Sequence, residues 1–134
     1  MLINLTSFNM NYNPVGWFEI PVTDLDRATK FYEILLGIKL RRQDVPGYEM
    51  VWFPRDENVK GISGALMKGD GYHPGDKGPV IYFTCPDIEV GLQRAEAAGG
   101  KIKLHKKDIG EAGCIGWLWD SEGNIIALHT VKTK

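Results

Sequence analysis

Hydrophobic and polar positions along the 134-residue chain fall into two rounds of one alternation. The first round opens with VGWFEIPV at 15–22, an apolar run short enough for a strand. TDLDRATKFYEILLG follows, with Leu25, Ala28, Phe31, Tyr32, Leu35 and Leu36 at helical spacing. Thr23 or Asp24 can cap that helix by accepting a backbone N–H, and Gly37 stands where a left-handed residue ends it. Three further segments, about 38–45, 48–54 and 61–68, have strand character, with turn signals such as Pro46-Gly47 between them.

The second round begins at Pro79 with PVIYFTC, and PDIEVGLQRAEAAGG then places Ile88, Leu92, Ala95 and Ala98 on one helical face. Strand-like segments return at about 101–107, 114–120 and 124–131. The repeat is in register: Asp87 lies 63 positions after Asp24, Gly100 lies 63 after Gly37, and GNIIALHT lies 62 after GISGALMK. The chain therefore reads as one domain over 1–134, with a βαβββ module at about 15–68 and another at about 80–131. The Gly- and Pro-rich linker GDGYHPGDKGP at 69–79 joins them. With Tyr72, His73 and Asp76 among its glycines, that linker is either a tether or a lid over a site.

Composition is that of an ordinary globular chain, 43% hydrophobic and 25% charged. A net charge of -1 supplies no field for a polyanion, so nucleic acid is not an expected partner. The lysines at 101, 103, 106 and 107 read as a solvated strand face. No run approaches a membrane span, and the first dozen residues read as an extension without a targeting pattern. Cys85 and Cys114 form no CxxC pair, which points to a reduced, cytoplasmic setting and inert thiols. His73 and His105 show no metal-ligand spacing, and no phosphate loop, nucleophile elbow or dinucleotide fingerprint is present.

VTDLDRATKFYEILLG at 22–37 and DSEGNIIALH at 120–129, taken together, resemble the glyoxalase/bleomycin-resistance/dioxygenase superfamily, also called vicinal oxygen chelate. The likeness covers residues 15–131. It implies an α+β fold in which two tandem βαβββ modules form an incomplete barrel with outer helices, usually within a homodimer. It also implies four metal ligands, His, Glu or Gln, on the first and last strands of each module. Carried over one at a time, those positions fall on Trp17, Ala65, Val80 and Ala127. None offers an oxygen, imidazole or thiolate donor, so no metal and no cofactor are expected, and metal-dependent glyoxalase I or dioxygenase chemistry is disfavoured.

Strand alternation then sets which side chains share the inferred concave face. They are Trp17, Glu19 and Pro21; Ser63, Ala65 and Met67; Val80, Tyr82 and Thr84; and Ile125, Ala127 and His129. This apolar cup with a few polar groups suits a small organic ligand, for which Trp17, Ser63, Met67, Tyr82 and Thr84 are the expected contacts. Bleomycin itself is cationic and is not favoured by a face with one carboxylate. Trp52, Trp117 and Trp119 add either aromatic walls or core packing, since no motif anchors their alternation. Glu19 and His129 are the strongly titratable groups on this face, serving either as a general-base pair or as hydrogen-bonded structural groups. Three functions stay open: metal-independent ligand binding, a lyase or isomerase using Glu19 or His129, and a non-catalytic partner-binding module.

Overall fold

The computed structural model describes residue 11 and residues 13–132, so most of the N-terminal extension lies outside the described residues. In the first module, β1 (Phe18–Pro21) runs into α1 (Leu25–Leu36). Asp24 starts that helix by accepting the Arg27 N–H at 2.9 Å, and Gly37 ends it at φ 65° and ψ 37°. β2 (Arg41–Val45), β3 (Tyr48–Trp52) and β4 (Gly64–Lys68) complete the module. β4 begins three residues later than the apolar pattern predicts. Ser63 turns its hydroxyl to the carbonyls of Phe53 and Pro54 at 3.1 and 2.7 Å, closing the loop before the ladder starts.

The second module repeats the order with β5 (Ile81–Thr84), α2 (Ile88–Ala97), β6 (Lys101–Asp108), β7 (Cys114–Trp119) and β8 (Ile125–Thr130). A single 3-10 turn, Gly110–Ala112, precedes β7. Asp87 caps α2 through the Val90 N–H at 3.2 Å, as the repeat predicts. The stop does not match. Gly99, not Gly100, takes the left-handed φ of 101°, and the Gly100 N–H reaches back to the Ala95 carbonyl at 2.8 Å. Gly100 is required for another reason: a Cβ there would lie 2.5 Å from the Trp119 carbonyl oxygen.

Each module is a four-stranded mixed sheet, ordered β1-β4-β3-β2 in the first and β5-β8-β7-β6 in the second, and neither closes into a barrel. The first strand of each module pairs in parallel with its last strand, while the middle hairpin is antiparallel. One side of both sheets and both helices share a core that includes Ile20, Val22, Phe31, Tyr32, Leu66, Leu92, Leu118, Ile126 and Leu128. Aromatic rings bridge the modules inside it. Phe83 of β5 lies 5.7 Å from Phe18 and 5.6 Å from Phe53, and Tyr32 lies 5.5 Å from Phe53. Truncating a ring buried in such a core typically costs about 3–5 kcal/mol.

The DSEGN turn between β7 and β8 locks the second module onto the first. Asp120, 4% exposed, accepts the Tyr32 hydroxyl at 2.6 Å. Asn124 donates from its side-chain amide to the Pro21 carbonyl at 2.8 Å and accepts the Gly75 N–H at 2.9 Å. Glu122 accepts the backbone N–H groups of Thr23 and Asp24 at 3.0 and 2.9 Å and an Arg27 guanidinium N–H at 2.7 Å. One of the two stretches carrying the family resemblance is therefore an inter-module joint that also covers the N-terminus of α1.

Candidate functional site

The sheet faces turned away from the shared core carry the predicted site residues in two separate groups, except Ser63, which stands in the loop before β4. In the first module the strand register sets Glu19, Ala65 and Trp52 in one row and Pro21, Met67 and Met50 in the next. Met50, Ala65 and Met67 are buried although no helix among the described residues covers this face. Trp17, Trp52 and Tyr72 pack over them, with the two indoles 5.4 Å apart and nearly perpendicular. Tyr72 comes from the linker and donates its hydroxyl to Glu19 at 2.9 Å. That hydrogen bond, with some burial and the nearby carboxylate charge, holds the Tyr72 phenol above its ordinary pKa.

In the second module the corresponding row is Tyr82, Ala127 and Trp117, with Thr84, His129 and Ile115 beyond it. The Trp117 indole donates to the Tyr82 hydroxyl at 3.0 Å. Lys103 lies over Trp119 at 4.9 Å, a cation–π contact. This face stays open, and Tyr82 is 45% exposed. Linker Tyr72 closes only the first face.

The four positions that would carry metal ligands are those of Trp17, Ala65, Val80 and Ala127. Ala65 and Ala127 are fully buried, and each is paired across the ladder with a tryptophan, Trp52 and Trp117. Alanine frees the volume that a ligating side chain would need, and an indole stands beside it in both modules. Among the described residues no three His, Cys, Asp or Glu side chains converge. The donor set does not fit a divalent metal.

Between the unpaired edges of β1 and β5 runs a cleft of about 780 Å³, walled by Phe18, Leu36, Ile38, Phe53, Val80 and Phe83. Glu19, Ser63, Tyr82 and Thr84 line it; Trp17, Met67 and His129 do not. Trp17 lines a smaller hollow with Arg55, Asp56 and Glu57. A further cavity of about 370 Å³ takes in Glu19, Pro21, His73, Asp76, Lys77, Ile81, Asn124 and Ile125, so Glu19 stands where the two meet. The cleft is mostly apolar with a few convergent polar groups, the usual character of a small-molecule site.

Glu19 and His129 do not form a pair. His129 turns Nε2 to the Ala112 carbonyl, whereas Glu19 holds Tyr72. Ile125 shares a cavity with Glu19, and at a rise of about 3.3 Å per residue His129 lies roughly 13 Å further along β8. Cys85 and Cys114 are free and half-buried, with the Cys85 sulfur 3.6 Å from the Thr130 hydroxyl. His73 and His105 are exposed. No helix among the described residues is long and apolar enough to cross a membrane.

Comparison with known proteins agrees with this architecture. The chain is 25% identical over 115 residues to the Mycobacterium tuberculosis protein named "Putative glyoxylase CFP32", covering 84% of this chain and 44% of that protein. It thus spans about half the length of the curated relatives it matches. A glyoxalase I variant from Zea mays superposes with a TM-score of 0.65 at 24% identity, over 87% of this chain and 46% of that one. The fosfomycin resistance protein FosX of Listeria monocytogenes superposes with a TM-score of 0.65 at 16% identity, over 90% and 95% of the two chains. At these identities the superpositions establish the fold alone. The sequence model of the Glyoxalase/Bleomycin resistance protein/Dioxygenase superfamily matches residues 15–128, and with the paired βαβββ sheets this places the chain in that superfamily.

Proposed function

We propose that this protein binds a small, largely apolar or aromatic organic molecule without a metal, as a homodimer in a reduced cytoplasmic setting. The observation that carries this reading is the alanine beside an indole at both buried positions, Ala65 with Trp52 and Ala127 with Trp117. Each sheet face offers aromatic surface where its relatives' chemistry calls for donors. The cleft between β1 and β5 adds apolar volume with Glu19, Ser63, Tyr82 and Thr84 at its wall. Family members named for fosfomycin and bleomycin resistance fit a fold used to hold small molecules. Binding needs only the pocket, whereas proton abstraction by a Glu19–His129 pair would need the two groups on one substrate.

Calorimetric titration of nickel and zinc into stripped protein tests the reading. It should give no stoichiometric binding, while small aromatic compounds quench tryptophan fluorescence saturably and sedimentation equilibrium gives the dimer mass. Tight stoichiometric metal would overturn the reading and restore metal-dependent lyase or dioxygenase chemistry. Turnover abolished by Glu19→Gln with binding retained would move the assignment to a metal-independent lyase or isomerase.

A further inference from the structure

The outer face of the first module is closed by its own chain. The Tyr72 ring packs against Met50, Ala65 and Met67, and its hydroxyl is fastened to Glu19 at 2.9 Å. Gly69 and Gly71 precede it at φ 147° and 87°, and a Cβ at either would meet nothing within 4 Å. The segment thus has glycine hinges and open space around them. Beyond it, the Gly75 N–H is tied to Asn124.

In the same cluster the Trp52 indole N–H is buried and has no acceptor among the described residues. An unpaired buried donor is uncommon and destabilising. The second module shows what is missing. There Trp117, paired with Ala127, donates to the phenol oxygen of Tyr82, which is paired with the same alanine. In the first module Trp52 is paired with Ala65, and the residue at the place of Tyr82 is Glu19, which holds Tyr72 instead. A phenol hydroxyl set between them would complete both groups, accepting from Trp52 and donating to Glu19.

We propose that the outer face of the first module is a binding site for a phenol, with Tyr72 as a removable plug that occupies the ring position. The ligand ring lies on Met50, Ala65 and Met67, and its hydroxyl bridges Trp52 and Glu19. This rests on the reading of the sheet faces as ligand-binding and narrows it to a ligand class.

The test is calorimetry and indole N–H resonances for Tyr72→Ala, with p-cresol as probe and toluene as the ring-only control. The variant should bind p-cresol about tenfold or more tighter than the unaltered protein, with the Trp52 indole resonance displaced. Glu19→Ala in the same background should then lose about tenfold for p-cresol and leave toluene unchanged, the scale of one charge-assisted hydrogen bond. Equal p-cresol affinity with and without Tyr72, or binding indifferent to Glu19→Ala, overturns the proposal. Should Tyr72→Ala not fold, the unaltered protein under excess p-cresol decides. Faster hydrogen exchange at 69–73 with a displaced Trp52 resonance supports the plug, and neither change overturns it. Equal binding of toluene and p-cresol removes the phenol but leaves a small-molecule site, whereas no binding of either ring removes both readings.

Discussion

Tyr32 is fully buried, yet its hydroxyl is committed to Asp120, itself nearly buried. Burial, then the Asp120 charge, holds the Tyr32 phenol well above its ordinary pKa. Burial also raises the Asp120 carboxyl, although the donors Tyr32, Asn124 and the Glu122 backbone pull it back. Tyr32→Phe keeps the ring and removes one donor from a buried carboxylate, so it should destabilise the chain by about 2 kcal/mol in urea unfolding. An unchanged midpoint would show that Asp120 is satisfied without it. Both residues stand in the motif stretches at 22–37 and 120–129, but neither stretch announces the contact between them. Tyr32 read correctly as a helix-face core residue, but a contact across 88 positions leaves no local trace. Trp52 and Trp117 were illegible for a related reason: their side of the sheet depends on hairpin pairing, which no motif in β3 or β7 anchors.

What was legible lies at the scale of the element. Caps and apolar periodicity are local, so both helices follow from the sequence, and the structure chooses Asp24 over Thr23 as the cap of α1. The helix α2 stop slipped by one residue because two glycines stand together and only backbone geometry chooses between them. The joint of α1 to the β7–β8 turn was legible only as a motif, without its job. Burial alone would raise the Glu122 carboxyl, but Arg27 and the N–H groups of Asp24 and Thr23, with the Ser121 hydroxyl, hold it at about 2. A depressed carboxylate stabilises the fold above its unfolded value near 4.5, and that stability is lost as pH falls through about 2. The shift corresponds to about 3 kcal/mol, reduced by solvent around the half-exposed Arg27. Glu122→Gln should therefore cost about 2 kcal/mol at pH 6, with the difference closing toward pH 2. A pH-independent gap would assign the effect to packing instead.

At the scale of the molecule, the repeat gave the plan of two modules and the structure gave their division of labour. Both sheets turn one side to a common core and the other outward, so the predicted cup residues are split between two faces and a cleft. Trp17, Glu19 and Met67 lie on the outward side of their sheet, but sequence alternation carries no information on where one module sits against the other. The shared core has a consequence for chain continuity. Phe83 is wedged among Phe18, Tyr32 and Phe53, and Glu122 and Asn124 grip the opposite module, so covalent connection through 69–79 contributes little to holding the halves together. A protease cut at the exposed glycines of that segment should leave a nicked protein that elutes as one particle and separates into two fragments only in denaturant. Separation under native conditions would mean that the peptide bond, and not the aromatic wedge, unites the halves.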